Sequence, residues 1–86
     1  MKVENLTSSR GNKVSNQFEI WNNGAHYFQS YNSIIVKIEG NKTYLDERFW
    51  DYSKTTAKYR NQFLGETTKE TQSKIDSGEY VLTNLN

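Results

Sequence analysis

Apolar and polar positions alternate in short runs through residues 17–45 and then recur at helical spacing through residues 50–64. Phe18 and Ile20 bracket Glu19, which predicts a strand with one buried face. Asn23-Gly24 follows, a pair that tolerates positive φ at both positions and therefore signals a tight hairpin. In the next segment His26, Phe28 and Ser30 share one phase, and Tyr27, Gln29 and Tyr31 the other. A turn at Asn32-Ser33 leads into the most apolar run. There Ile34, Val36 and Ile38 are expected on one face, with Ile35 and Lys37 opposite. Gly40-Asn41 marks a third turn, and Thr43-Tyr-Leu45 a fourth strand. Consecutive strands joined by tight turns predict an antiparallel meander.

Asp51 or Ser53 can cap a helix whose Tyr52, Thr56, Tyr59 and Phe63 recur on one face toward the sheet. Gly65 stands where a left-handed residue ends such a helix. Thr67-Thr-Lys-Glu70 has the pattern of a capping box opening a second, weaker helix, with Ile75 its only large apolar residue. Gly78 stops it, and Tyr80-Val-Leu-Thr83 predicts a short last strand. The expected fold is α+β: a three- to four-stranded antiparallel meander packed by one main helix, a weaker second helix and a short C-terminal strand. Residues 1–86 are expected to form a single small domain. Residues 1–16 are mostly polar and are expected to form a partly ordered arm or an edge strand near Val14. The predicted core is Phe18, Ile20, Phe28, Ile34, Val36, Ile38, Tyr59 and Phe63.

Composition narrows the function. With 34% apolar residues in 86, the core is thin, but aromatic residues make up 14%, and each large ring buries roughly 150–250 Å². There is no cysteine, which argues against disulfides and thiolate metal sites and for a reducing, cytoplasmic setting. No apolar run approaches the length of a membrane span, and the first residues do not read as a signal peptide. The net charge of +1 is neither the basic excess of a duplex-DNA binder nor the acidic excess of a nucleic-acid mimic.

Catalytic motifs are absent. His26 is the single histidine, and no Gly-x-Ser-x-Gly elbow accompanies it. Asp46, Glu47 and Asp51 cluster before the first helix, but their spacing matches no calcium loop, and acids at a helix start have an electrostatic reason to be there. No catalytic, cofactor-binding or metal-ligating residue is assigned, and no cofactor is expected. Lys54, Lys58 and Arg60 read as a solvated helical face.

The aromatic residues are more numerous than one small sheet face can hold. Trp21, Tyr27, Tyr31, Lys37 and Arg48 are the candidate partner-binding residues, because exposed Tyr, Trp and Arg dominate interface hot spots. The same kind of surface, rings beside Lys37, Lys42 and Arg48, could stack unpaired bases; the remaining alternative is that both sheet faces are partly covered and the rings are simply core.

Gly11-Asn-Lys-Val14, Asn16-Gln-Phe18, Tyr27-Phe-Gln-Ser-Tyr-Asn-Ser-Ile-Ile35, Tyr44-Leu-Asp46 and Trp50-Asp-Tyr-Ser-Lys-Thr-Thr-Ala-Lys-Tyr-Arg-Asn-Gln-Phe-Leu64 together resemble a family of small proteins from phages and mobile elements of low-GC bacteria. The resemblance covers nearly the whole chain and implies a context but no catalytic residues. By analogy with small phage proteins that lack enzymatic motifs, the expected function is a non-enzymatic accessory protein in the cytoplasm of a bacterial host. It would bind and modulate a host protein, in the manner of an anti-CRISPR or other anti-defence inhibitor. The alternative is a single-stranded nucleic-acid binder that uses the sheet aromatics. Homo-oligomerisation is compatible with either, and no membrane partner is expected.

Overall fold

The computed structural model describes residues 1–86. The chain runs β1 (Lys2–Thr7), β2 (Lys13–Asn22), β3 (Ala25–Ser30), β4 (Ser33–Glu39), β5 (Lys42–Asp46), α1 (Lys54–Leu64), α2 (Thr68–Asp76) and β6 (Tyr80–Thr83). All six strands form one sheet in sequence order. The first four pairs are antiparallel and β5–β6 is parallel. The fold is therefore α+β, but with six strands in a mixed sheet rather than a three- to four-stranded meander.

Two physical reasons account for the difference. The N-terminal sixteen residues supply β1 and the first part of β2, although they are mostly polar. An edge strand needs few apolar residues, and of β1 only Leu6 is buried. Its charged Lys2 and Glu4 protect the free edge against unwanted pairing. At the other edge, β6 joins the sheet beside β5 and in the same direction. Parallel neighbours need a long crossover, and α1 with α2 provides it.

Local chemistry sets the turns and caps. Asn23 and Gly24 have φ of 51° and 81°, the mirror-image turn whose twist matches the flanking strands. Ser53 caps α1 by accepting from Thr56 N, and Gly65 closes it at φ 70°. The capping box of α2 is complete, with Thr67 and Glu70 each bonding the other's backbone.

The helices lie on one face of the sheet. Phe63 of α1 packs against the rings of His26 and Phe28, and Thr56 hydrogen-bonds Ser30 at 2.9 Å. The apolar core is Leu6, Phe28, Ile35, Val36, Leu45 and Tyr80, with Tyr59, Phe63, Leu64 and Ile75 among the half-buried residues against it.

This core departs from the expected one in four respects. Glu19, not Phe18, pairs with Phe28, so Phe18 and Ile20 lie on the face away from the helices. Between Phe28 and Gln29 the β3–β4 register shifts by one residue. This bulge puts both Ile35 and Val36 in the core, whereas Ile34 pairs with Gln29 and is only half-buried. Tyr52 stays 48% exposed instead of facing the sheet.

Arg60, expected on a solvated face, is fully buried. Its guanidinium donates to Trp50 O, Asp51 Oδ1 at 3.1 Å, Asn61 Oδ1 at 2.9 Å and Thr68 Oγ1 at 2.7 Å, and lies 5.1 Å from the Trp50 ring. It ties the loop before α1 to the junction before α2.

Candidate functional site

The sheet face away from the helices carries one continuous row. Register places Val3 opposite Ile20, Ile20 opposite Tyr27, Tyr27 opposite Lys37, Lys37 opposite Tyr44, and Tyr44 opposite Val81. Directly opposed residues share a face of the sheet, so these six side chains cross all six strands on one surface. Val3 is 52% exposed and Val81 42%. The ammonium of Lys37 lies 6.0 Å from the Tyr27 ring and 5.9 Å from the Tyr44 ring, and 3.4 Å from Glu39. A cation held between two ring faces is attracted by both quadrupoles. Phe18, Gln29 and Ile34 make a second row beside the first.

The bulge in β4 is what assembles this centre. The hairpin starts with Ser30 opposite Ser33 and Gln29 opposite Ile34. Continued without a bulge, that register would set Lys37 against His26 on the helix side. The extra residue at Ile35 turns Lys37 outward, onto Tyr27.

Five residues were expected at a binding site, and the structure brings two of them together. Tyr27 and Lys37 are neighbours in the row. Trp21 is on the helix side, stacked on His26 at 4.8 Å and approached by Lys2. Arg48 lies in the exposed loop after β5. Tyr31 is 51% exposed at the β3–β4 turn with φ 55°, a conformation that disfavours side chains with a Cβ. Tyr44, Ile20, Val3 and Val81 complete the row and were not expected there. Strand phase alone could not find them, because they come together only through the pairing of six strands.

His26, Asp46 and Asp51 each have structural partners. His26 is held between the rings of Trp21 and Phe63 and bonds Glu19 at 3.1 Å. Asp51 pairs with Arg60, and Glu47 is exposed. Asp46 is fully buried and accepts from the backbone N–H groups of Arg48, Phe49 and Leu85 and from the Asn86 amide. Burial raises its pKa, but these four donors outweigh burial and the carboxyl titrates below its usual value. Glu66 behaves alike: burial raises it, while Lys74, Thr71 and Tyr80 lower it further. Burial, and then the bond to Glu66, push the Tyr80 phenol up. No group of three metal-ligating side chains converges, and no helix is long and apolar enough to cross a membrane.

An α+β sheet with one face covered by a two-helix crossover and the other left open defines the class of domain. The chain belongs to a family of unknown function (DUF8033), whose model matches residues 1–79. No curated protein and no solved structure matches it.

Proposed function

We propose that this protein is a non-enzymatic accessory protein of phages or mobile elements of low-GC bacteria that binds and modulates a host protein in the cytoplasm. An inhibitor of an anti-phage defence is the concrete form of this reading. The supporting observation is the uncovered row from Val3 to Val81. A soluble domain seldom leaves a contiguous apolar and aromatic band across its whole sheet unless something covers it. Tyrosines at the centre of an apolar band suit a protein partner. The enclosure of His26 between two rings supports a packing role for that residue over a catalytic one.

The test is affinity capture from a low-GC host with and without nuclease. One partner, retained after nuclease treatment and lost with Tyr27→Ser plus Tyr44→Ser, is the expected result. Recovery of that partner at wild-type level by the double variant overturns the assignment of the face.

One observation favours a second reading, a single-stranded nucleic-acid binder. Tyr27, Lys37 and Tyr44 place a cation between two rings, an arrangement that stacks bases in sequence-tolerant binders. The net charge of +1 weighs against it. Fluorescence titration with mixed-sequence single-stranded DNA separates the two. Binding that falls steeply with salt, as counterion release requires, would replace the first reading with the second.

A further inference from the structure

The row on the open face begins and ends on valine and has three positions on either side of its midpoint. From β1 to β6 it reads Val3, Ile20, Tyr27, Lys37, Tyr44, Val81. A two-fold axis parallel to the strands, between β3 and β4, would lay one such face on another with residues meeting in reciprocal pairs. Val3 would face Val81 of a second copy, Ile20 would face Tyr44, and Tyr27 would face Lys37. Each pair occurs twice, as a closed two-fold interface requires.

We propose that in the free protein the open face is occupied by a second copy of this chain, packed face to face about that axis. The inference rests on the reading of this face as a binding surface, and it names what covers the face before a host partner does.

Charge selects this geometry over the alternative. A two-fold axis across the strands would set Lys37 against its own symmetry mate, with two ammonium groups in contact. The axis along the strands sets Lys37 over the partner copy's Tyr27 ring. Each cation, already flanked by Tyr27 and Tyr44 of its own chain at 6.0 and 5.9 Å, would then sit among three rings. Desolvation strengthens such contacts.

The next row obeys the same logic. Asn22, Ala25, Glu39 and Lys42 are mutually paired across β2 to β5. The same axis puts Glu39 over Ala25 and Lys42 over Asn22, so no like charges meet. Two aligned sheets cross at about 30° because each is twisted. The Tyr27–Lys37 pairs near the axis therefore hold their register best, and the Val3–Val81 pairs at the rim least.

The area is sufficient. Six strands at about 4.8 Å spacing and three residue rows about 7 Å apart give a face of roughly 600 Å² per copy. Specific, stable interfaces begin at about 600 Å² per partner.

The experiment is analytical ultracentrifugation of the full chain, wild type against two variants, each checked for folding by circular dichroism. The wild type is expected to dimerise below roughly 100 µM. Tyr27→Lys places lysine over lysine twice and should raise the dimer dissociation constant on the order of 100-fold or more. Adding Lys37→Tyr exchanges the two partners, recreates both reciprocal pairs and should restore the dimer. A wild type still monomeric at roughly 100 µM overturns the proposal. So does a dimer indifferent to Tyr27→Lys, or one that the exchange does not rescue. A monomeric chain that still captures a host protein through Tyr27 and Tyr44 would remove the dimer and leave the functional reading in place.

Discussion

The helices cover the sheet face that carries Gln17, Phe28, Ser30, Val36 and Leu45, and leave bare the face that carries Ile20, Tyr27, Lys37 and Tyr44. The covered side is unexpectedly polar. Gln17, Ser30, Thr56, Arg60 and Thr71 are fully or almost fully buried, beside Leu6, Phe28, Ile35, Val36, Leu45 and Tyr80. The open side holds apolar and aromatic residues where a solvated face would carry charges. Where little apolar material is available, folding leans on hydrogen-bonded hubs, and much of the remaining apolar surface lies on the face the helices leave open. Buried polar groups of this kind stabilise only when their partners are complete.

The largest contrast should come from truncating one ring on each face. Phe28→Ala empties a core site and should destabilise by about 3–5 kcal/mol, whereas Tyr27→Ser on the open face should cost less than about 1 kcal/mol. Urea denaturation measures both, and equal losses would erase the distinction between the faces. Arg60→Ala should follow, at about 2–3 kcal/mol, because Trp50 O, Asn61 and Thr68 would lose a buried donor. A denaturation midpoint near wild type would show that the loop is held by other contacts.

Acid should act through the covered side next. The pKa values of Glu66 and Asp46 are lowered by their hydrogen-bond donors. Stability from such groups is present above their unfolded values, about 4, and is lost as pH falls through the lower folded values. The melting temperature should therefore drop on acidification below about pH 4, and Glu66→Gln should flatten that dependence. An unchanged slope would mean that Glu66 is not held as described.

Gln17 tests the same side in the opposite direction. Both polar atoms of its buried amide lack a partner. Gln17→Leu should raise stability by about 1 kcal/mol, since it removes an unmet desolvation cost. A lower melting temperature would show that the amide is satisfied in solution. The smallest effect belongs to Tyr31. Replacing it with glycine relieves the positive φ and should stabilise by about 0.5–1 kcal/mol. Weaker partner capture by the same variant would show why a tyrosine stands there.

Features of short range were legible in the sequence. The Asn23-Gly24 turn, the Gly65 stop and the Thr67–Glu70 capping box each depend on residues within one turn of each other, and each formed where local chemistry put it. β1 was not legible, because an edge strand with a single buried residue carries no apolar alternation. The β4 bulge was hidden for a different reason. Its cause is tertiary, the burial of Ile35 and Val36 together, and it puts Ile34 on the open face and Ile35 in the core, while Val36, Lys37 and Ile38 keep the faces that alternation gives them. It brings Tyr27 and Lys37 into register, whereas Trp21 lies on the helix side with Glu19 through the regular β2–β3 pairing. Helical spacing sets Arg60 on a solvated face, because its acceptors lie in the Trp50-Asp51 loop and at Thr68, which that spacing does not reveal.

The crossover between β5 and β6 has a consequence for the order in which the chain assembles. Strands β1 to β5 pair with sequence neighbours through short connections, and such loops close early and at low entropic cost. β6 can dock only after some thirty-three intervening residues have been gathered into α1 and α2. Asp46 stands at the joint: its carboxylate binds backbone on both sides of that gap, at Arg48 and Phe49 just after β5 and at Leu85 beyond β6. The last strand is therefore the natural place for the sheet to open first. In native-state hydrogen exchange, amides of β6 that bond to β5 should open at lower free energy than those shared by β3 and β4. Until that strand is in place, β5 remains a bare edge that can pair with a strand of another chain.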